Sequence, residues 1–269
     1  MVMMDYQDLD IVDLATEAGS AIMGIYDSDT ITQVQSKEDD SPLTLADIAA
    51  HETIVDGLKN LDPNTPIVSE EGRVGDALSS EFAWLVDPLD GTKEFIKRNG
   101  MFTVNIALMR RNGKRWNPVF GVVHAPVTQS TWYGGKETSA IKISEGHSKE
   151  ISVNNHPEEP VRLVASGSHR SERDEAFASS IGKHDLIRMG SSLKACIVAE
   201  SAADLYPRFG PTSCWDIAAA HAVVESAGGK VLGPDCETLD YDLMEDVLNP
   251  FFLVTCSTKW NDFWLENQD

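Results

Sequence analysis

The sequence of 269 residues has few cysteines and no long apolar run. Its four cysteines, at positions 196, 214, 236 and 256, lie far apart and form no CxxC pair. This spacing favours reduced thiols over a disulfide framework or a zinc site. No apolar run approaches the roughly 20 residues that span a bilayer, so we predict no transmembrane segment.

The N-terminal stretch MVMMDYQDLD is acidic and lacks a basic region followed by an apolar core, so we expect no secretory signal. Together with the reduced thiols, this predicts a cytoplasmic protein. Any contact with a membrane, such as an inner membrane, would be peripheral.

Basic residues are also scarce, because 22 Lys and Arg face 43 Asp and Glu, and the formal net charge is -21 at pH 7. This imbalance excludes broad binding to nucleic acid polymers or to an anionic membrane surface. A small anionic substrate is still acceptable, provided that local cations offset the negative field. With 42% hydrophobic and 24% charged residues, the composition is that of an ordinary globular protein.

Helices and strands are predicted from the spacing of the apolar residues. Helical spacing over residues 8–26 and Leu45–Leu61 predicts two amphipathic helices. Alternating apolar residues then predict an antiparallel meander. Its strands are expected at Met101–Leu108, Trp116–His124 and Thr131–Tyr133.

A polar stretch from Lys136 to Pro160 is rich in Glu, Ser, Asn and Pro, and we predict a loop and domain junction there. It divides the chain into an N-terminal α+β domain, residues 1–157, and a C-terminal α/β domain, residues 158–269. In the second half we expect a strand over residues 161–166 and helices near 172–181, 192–201 and 213–227. The predicted fold class is therefore α+β with α/β character, in layers of helices and sheets.

The stretch WLVDPLDGTKEF ends an apolar run in two aspartates, Asp87 and Asp90. Pro88 and Gly91 favour a turn, and a helix that begins directly after it presents free backbone N–H groups to an anion. Two oxygen ligands beside such a turn suggest Mg2+ held between the protein and a phosphate. A capped turn whose carboxylates serve only the helix explains the stretch equally well.

Other acidic residues stand at similar ends of predicted elements. The pair Glu70-Glu71 ends a short β-prone run and, taken alone, is best interpreted as a solvated strand end. Asp47 and Asp216 each follow a hydroxyl residue by three positions, which fits a capping box. The segment WDIAA around Asp216 argues against a purely structural role, because a capping acid needs no Trp neighbour followed by small residues.

Three motifs carry a resemblance to a known family. They are the pair Glu70-Glu71, the turn DPLDGT at residues 87–92 and the segment WDIAA at residues 215–219. In this order they resemble the motifs of the magnesium-dependent, lithium-sensitive phosphatases that include the inositol monophosphatases. The resemblance covers nearly the whole chain and implies the layered αβαβα sandwich of the inositol monophosphatase and fructose-1,6-bisphosphatase fold.

Four further stretches resemble the bacterial 3'(2'),5'-bisphosphate nucleotidases of the CysQ type within that superfamily. They are KEDDSPLTLAD (37–47), DGTKEFI (90–96), GSSLK (190–194) and LYPRFGPTSCW (205–215). Each is less specific than the metal motifs, but together they favour a nucleotide over an inositol phosphate as the substrate.

The resemblance implies a set of metal ligands. Glu70, Asp87 and the backbone carbonyl of Leu89 would hold a first Mg2+. Asp87, Asp90 and Asp216 would hold a second, and two or three ions are implied in all. Paired ions about 4 Å apart can activate the attacking oxygen and neutralise the leaving one. All-oxygen ligation favours magnesium, or manganese as a substitute, over zinc.

The resemblance also implies catalytic and substrate-binding roles. Asp47 and Thr92 would orient and deprotonate the nucleophilic water, because the Thr hydroxyl can accept from water and donate to the carboxylate. The backbone N–H groups of Gly91 and Thr92 would hold the phosphate. Substrate contacts are thus implied for the metal site and its turn: Glu70, Leu89, Asp90, Gly91, Thr92 and Asp216.

The second half of the chain is expected to provide specificity. Polar or cationic side chains near its predicted element ends are candidates to bind a second phosphate by charge-assisted hydrogen bonds: Ser191, Ser192, Lys194 and Arg208. Plain surface solvation is the alternative for each of them. Ser168 and His169 are weaker candidates for contact with ribose or base.

The implied activity is magnesium-dependent hydrolysis of adenosine 3',5'-bisphosphate to AMP and phosphate, which in the family clears a by-product of sulfate assimilation. The sulfated precursor is a second candidate substrate. One alternative is an inositol or sugar-phosphate phosphatase with the same metal core. Another is a regulatory binding protein without turnover, which we would expect to lack a metal ligand or the pair Asp47 and Thr92. The sequence retains them all and does not predict an oligomeric state.

Overall fold

The structure is a computed structural model that describes residues 7–28, 34–36, 42–166 and 172–268. Its helices are α1 (Asp8–Tyr26), α2 (Leu45–Leu61), α3 (Thr92–Ile96), α4 (Glu172–Ser180), α5 (Leu193–Ala199), α6 (Ala218–Ser226) and α7 (Asn261–Glu266). The bounds predicted for α1 and α2 from apolar spacing are confirmed.

A first sheet of eight strands contains the predicted meander. In spatial order its strands are β10 (His147–Glu150), β9 (Ile141–Ser144), β8 (Ser130–Gly135), β7 (Arg115–Ala125), β6 (Thr103–Asn112), β5 (Phe82–Asp90), β3 (Ile67–Ser69) and β4 (Gly72–Val74). Neighbours are antiparallel except β3 and β5, which are parallel. β6, β7 and β8 confirm the meander. Separately, β1 (Val34–Ser36) pairs with β2 (Pro42–Thr44).

Both faces of the first sheet are covered, which accounts for the continuous apolar run in β5. Trp84 and Val86 pack in a buried cluster with α1 and α2. Ala83 and Leu85 pack in a second cluster with α5 and α6. Because successive side chains of a strand point to opposite faces, a strand buried on both faces loses the usual alternation of apolar and polar residues.

Helix α6 lies very close to this sheet. A Cβ atom on Gly121 of β7 would stand 2.2 Å from the carbonyl oxygen of Ala219. Small residues on both sides of the contact are therefore required, and the alanines of WDIAA meet this requirement.

A second sheet of five strands has the order β12 (His184–Met189), β11 (Val161–Ser166), β13 (Leu205–Arg208), β15 (Phe252–Thr255) and β14 (Lys230–Leu232). One buried cluster joins α5 and α6 to both sheets. Another packs α4 and α7 against the opposite face of the second sheet. The layers run α1 and α2, first sheet, α5 and α6, second sheet, α4 and α7, so the predicted αβαβα sandwich is confirmed.

Two local predictions are wrong. Residues 136–160 are not a continuous loop, because β9 and β10 form a hairpin at the edge of the first sheet. Their side chains are exposed or half-buried, so their polar composition resembles that of a loop. The helix expected from Ser213 is also interrupted: a 3-10 turn, Cys214–Asp216, precedes α6, with Ile217 between them at φ -131°.

The domain boundary at residue 157 stays a prediction. The cluster around α5 and α6 contains side chains from both sides of that boundary. Within the described ranges, no helix is both long enough and apolar enough to cross a membrane.

Candidate metal and phosphate site

The end of β5 is irregular, and this irregularity brings its two aspartates to one side. Residues three apart on a regular strand point to opposite faces. Here the pairing of β5 with β6 shifts register between Asp87 and Asp90. Pro88 removes one ladder donor, and the N–H of Leu89 donates to Asp87 Oδ1 at 3.1 Å. The turn residues recognised in the sequence therefore aim both carboxylates into one cleft.

Asp216 reaches the same place from the 3-10 turn before α6. Each of Asp87, Asp90 and Asp216 offers one carboxylate oxygen, and these oxygens lie within 4.8 Å of one another. The backbone N–H of Ser213 donates to Asp216 Oδ2 at 2.9 Å. The capping box predicted here is therefore present, and Asp216 also belongs to the carboxylate cluster.

The cluster is electrostatically strained. Burial raises the pKa of Asp87 well above its usual range, and the neighbouring carboxylates raise it further. Burial, followed by the charge of Asp90, raises the pKa of Asp216 to about 8. Buried like charges of this kind are relieved by a cation. The site therefore has the chemistry of a binding place for a hard divalent ion.

Glu70 lies beside this cluster rather than within it. Its side chain is hydrogen-bonded to that of Asp87 and contributes to the raised pKa of Asp87. The N–H of Glu70 donates to the carbonyl of Val86 at 3.0 Å, which holds the end of β3 against β5. Asp87 thus interacts both with Glu70 and with the other two aspartates, and its role as a bridging ligand stays a prediction.

The two carboxylate oxygens of Asp47 accept hydrogen bonds from two different residues, Thr44 and Thr92. Oδ2 accepts from the backbone N–H of Thr44 at 2.8 Å and from the Thr44 hydroxyl at 2.5 Å, which completes the predicted capping box of α2. Oδ1 accepts from the Thr92 hydroxyl at 3.3 Å. The capping box predicted for Asp47 is therefore confirmed, and its catalytic role with Thr92 stays a prediction.

Gly91 shapes the turn that leads into α3. Its φ is +92°, and a Cβ atom there would lie 3.1 Å from the carbonyl oxygen of Met101. A glycine is therefore needed at this position. The Thr92 hydroxyl is also 3.3 Å from the carbonyl oxygen of Leu89, which joins the turn to the predicted catalytic pair.

The same cleft also contains cationic side chains. The cleft has a volume of about 600 Å³, and its lining includes the three aspartates together with Lys194, Tyr206 and Arg208. Lys194 Nζ donates to the carbonyl of Ser191 at 2.5 Å and lies 5.5 Å from the centre of the Tyr206 ring. Burial lowers the pKa of Lys194 to about 8. A buried ammonium with a lowered pKa is a group that an anion would stabilise.

Arg208 has an unsatisfied donor. Its Nη2 donates to the carbonyl of Pro211 at 3.0 Å. Its Nε is buried and has no hydrogen-bond partner among the described residues. A phosphate oxygen would satisfy this donor, so Arg208 fits an anion site.

Comparison with known proteins agrees with this geometry. The model of the inositol monophosphatase family matches residues 5–257. This chain belongs to the inositol monophosphatase family. Curated relatives named 3'(2'),5'-bisphosphate nucleotidase CysQ, from Salmonella typhimurium and Escherichia coli, are each 48% identical over 247 residues, 91% of this chain and 98% of theirs.

Within the inositol monophosphatase family, the crystal structure of CysQ from Bacteroides thetaiotaomicron is similar to this chain. The TM-score is 0.78 at 39% identity, and the match covers 92% of this chain and 96% of that one. The resemblance inferred from the motifs, including the CysQ type, is therefore confirmed.

The two serines of GSSLK are placed differently from the two cations. The Ser191 hydroxyl donates to Asp90 Oδ2 at 2.7 Å, and the backbone N–H of Ser192 donates to the same oxygen at 2.7 Å. Both serines thus bond to a residue of the acidic cluster. Ser191 as a substrate ligand stays a prediction, and Ser168 and His169 lie outside the described residues.

Sequence reasoning missed two buried polar residues of β6, Thr103 and Asn105. Asn105 is 1% exposed and pairs directly with Asp87 across the sheet. The signal was present in FTVNIALM, where an amide interrupts an otherwise apolar strand. Because a buried amide requires hydrogen-bond partners, such an interruption indicates a polar site within the fold.

Proposed function

We propose that this chain is a magnesium-dependent phosphatase that hydrolyses the 3'-phosphate of adenosine 3',5'-bisphosphate to give AMP and phosphate. The observation that carries the proposal is that one cleft holds both a cluster of three carboxylates and two cationic side chains, Lys194 and Arg208. The names of the CysQ relatives at 48% identity support the choice of substrate.

The residues present fit a divalent cation, because the pKa values of Asp87 and Asp216 are raised by burial and by neighbouring carboxylates. A cation bound there would offset this repulsion. Asp87, Asp90 and Asp216 would hold it. Glu70 and the carbonyl of Leu89 would extend the site on the other side of Asp87. Bound Mg2+, in two or three ions or with Mn2+ as substitute, supplies neutralisation of phosphate charge and a more acidic water.

The chain's own residues provide a path for the proton of the attacking water. The Thr92 hydroxyl donates to Asp47 Oδ1, and the lone pairs of the hydroxyl oxygen can accept a hydrogen bond from a water. Asp47 is 1% exposed and is held in place by Thr44. The pair can therefore orient the water and take up its proton without a histidine.

The cationic side chains support a bisphosphate as the substrate. Lys194 is buried, and Arg208 is half-buried with a buried Nε that has no partner among the described residues, so an anion would stabilise both. A substrate with one phosphate at the acidic cluster and another at these cations would interact favourably with both groups of charges. The sulfated precursor carries a similar anionic group and is included in the proposal, as are inhibition by Li+ and a cytoplasmic location.

The direct test measures phosphate release from adenosine 3',5'-bisphosphate and from inositol 1-phosphate, with Mg2+ and with or without Li+. We expect strong preference for the nucleotide and inhibition by Li+. Preference for the inositol ester would replace the proposal by an inositol phosphatase. Release from neither compound, by folded protein with Mg2+ present, would favour a binding protein without turnover.

A further inference from the structure

A buried polar network connects the segments that carry Asp90 and Asp216. Asn105 Nδ2 lies 3.3 Å from Asp90 Oδ2, 3.0 Å from the Ser192 hydroxyl and 3.5 Å from the carbonyl oxygen of Trp215. The Ser192 hydroxyl donates to the carbonyl of Asp216 at 2.5 Å. One amide therefore touches the end of β5, the turn before α5 and the 3-10 turn before α6.

The two carboxylate oxygens of Asp90 differ in their hydrogen bonds. Ser191 Oγ, Ser192 N and Asn105 Nδ2 all donate to Oδ2. No hydrogen bond from a described residue reaches Oδ1. Because these donors occupy Oδ2, Oδ1 is the oxygen left to bind a cation.

The orientation of the Asn105 amide follows from its surroundings. A carboxylate and a backbone carbonyl can only accept, so the atom that approaches Asp90 and Trp215 must be the NH2 group. The other amide atom, Oδ1, lies 2.9 Å from the Thr103 hydroxyl. Thr103 is fully buried, and its hydroxyl also lies 2.5 Å from the Ser191 hydroxyl, so it contacts both of these partners of Asp90.

We propose that Asn105 is a positioning residue that sets the spacing of the metal-binding carboxylates, an inference that rests on the proposed function. Asn105 stands opposite Asp87 in the sheet, donates to Asp90 and bonds to the peptide carbonyl that precedes Asp216. It thus contacts the carboxylate of Asp90 directly and the backbone next to Asp216, and it is the cross-strand neighbour of Asp87. Partners of this kind orient metal ligands and tune metal affinity.

The competing interpretation is that Asn105 only satisfies buried polar groups of the core. Asn154 offers a matched control, because its Nδ2 also donates to a carboxylate, Asp204 Oδ1, at 2.7 Å, outside the cleft. A structural role predicts similar effects of the two substitutions. A positioning role predicts that only the change at Asn105 alters metal binding.

The experiment compares Asn105→Ala and Asn154→Ala by calorimetric titration with Mg2+ in the absence of substrate, together with thermal unfolding without metal. We expect Asn105→Ala to weaken Mg2+ binding about tenfold or more, and Asn154→Ala to leave it within twofold of wild type. Equal Mg2+ affinity in Asn105→Ala and wild type would overturn the proposal, as would an equal loss in Asn154→Ala.

Thr103→Val keeps the proposal testable if Asn105→Ala does not fold. This change removes the hydroxyl that contacts both the amide of Asn105 and the hydroxyl of Ser191. Asn105 itself is retained, so we expect a smaller loss of Mg2+ affinity, about threefold to tenfold. Unchanged affinity there contradicts the proposal. Wild-type protein that binds no Mg2+ would instead contradict the proposed function itself, so the two failures are distinguishable.

Discussion

Two groups of side chains with opposite charge line the cleft. We call Asp87, Asp90 and Asp216 the acidic wall, and Lys194 and Arg208 the cationic wall. On the acidic wall, burial and like charges raise the pKa of Asp87 and bring that of Asp216 to about 8. On the cationic wall, burial lowers the pKa of Lys194 to about 8. A divalent cation would relieve the first wall and a phosphate the second, so the cleft is suited to binding both.

The walls also differ in what they can do. The acidic wall contains the predicted catalytic pair and the groups that suit a metal, so changes there should affect turnover. In the proposed function the cationic wall binds the part of the substrate that does not react, so changes there should affect KM. Substitutions on each wall can therefore separate the two roles.

The largest effect is expected from Asp87→Asn on the acidic wall. Asp87 links Glu70 to the other aspartates, so we expect phosphate release to fall by roughly a thousandfold. Thermal unfolding of the metal-free variant should show a midpoint no lower than that of wild type, because repulsion is removed. Asp240→Asn, which breaks an exposed ion pair with Arg115, is the control and should retain activity. Retained turnover in Asp87→Asn would refute its central role.

The next largest effect is expected from Thr92→Val. Loss of the hydroxyl that donates to Asp47 should lower kcat by about 10²- to 10³-fold. Calorimetry should find Mg2+ affinity within twofold of wild type, because no carboxylate is changed. Thr131→Val, which loses a hydrogen bond to His124 in the core, controls for stability. A parallel loss of Mg2+ affinity would show that Thr92 acts through the carbonyl of Leu89 instead.

A smaller effect is expected from Lys194→Met on the cationic wall. The KM for adenosine 3',5'-bisphosphate should rise roughly 10- to 100-fold, the value of a charge-assisted hydrogen bond. The KM for 3'-AMP, which lacks the second phosphate, should change little. Equal losses on both substrates would place Lys194 at the reacting phosphate and would break the division between the walls.

The same lysine predicts a pH dependence. Its pKa is lowered to about 8, so the ammonium is present below that pH and is lost as the pH rises above it. The KM for adenosine 3',5'-bisphosphate should therefore increase between about pH 8 and pH 9, without a matching increase for 3'-AMP. Lys194→Arg keeps its charge over this range and should flatten the profile; an unaltered profile would assign the titration to another group.

The smallest effect concerns stability. The pKa of Asp216 rises from 3.8 to about 8 on folding, so the folded protein holds protons that the unfolded chain has released. Stability of the metal-free protein should thus fall as the pH rises from about 4 to 8. Mg2+ at a hundred times its Kd should raise the thermal midpoint by roughly 5 to 10 °C at pH 8. Asp216→Asn should weaken both trends, and identical slopes in wild type and variant would contradict this assignment.

Local chemistry explains which parts of the fold could be predicted. The spacing of apolar residues specifies α1 and α2, and Pro88 and Gly91 mark the turn after β5, because these signals involve neighbouring residues. The hairpin of β9 and β10 was missed because its half-exposed side chains carry no apolar alternation. The turn at residues 214–216 was taken for a helix because a capping box suits both structures.

Intact motifs and local periodicity specified the family, the layered fold and the identity of the acidic residues. The approach of Asp216 to Asp87 and Asp90 within 4.8 Å follows only from the packing of the chain. The same is true of the contact between Asp47 and Thr92 and of the hydrogen bond from Asn105 to Asp90. These contacts join residues distant in the chain, so they depend on how two sheets and the helices between them pack.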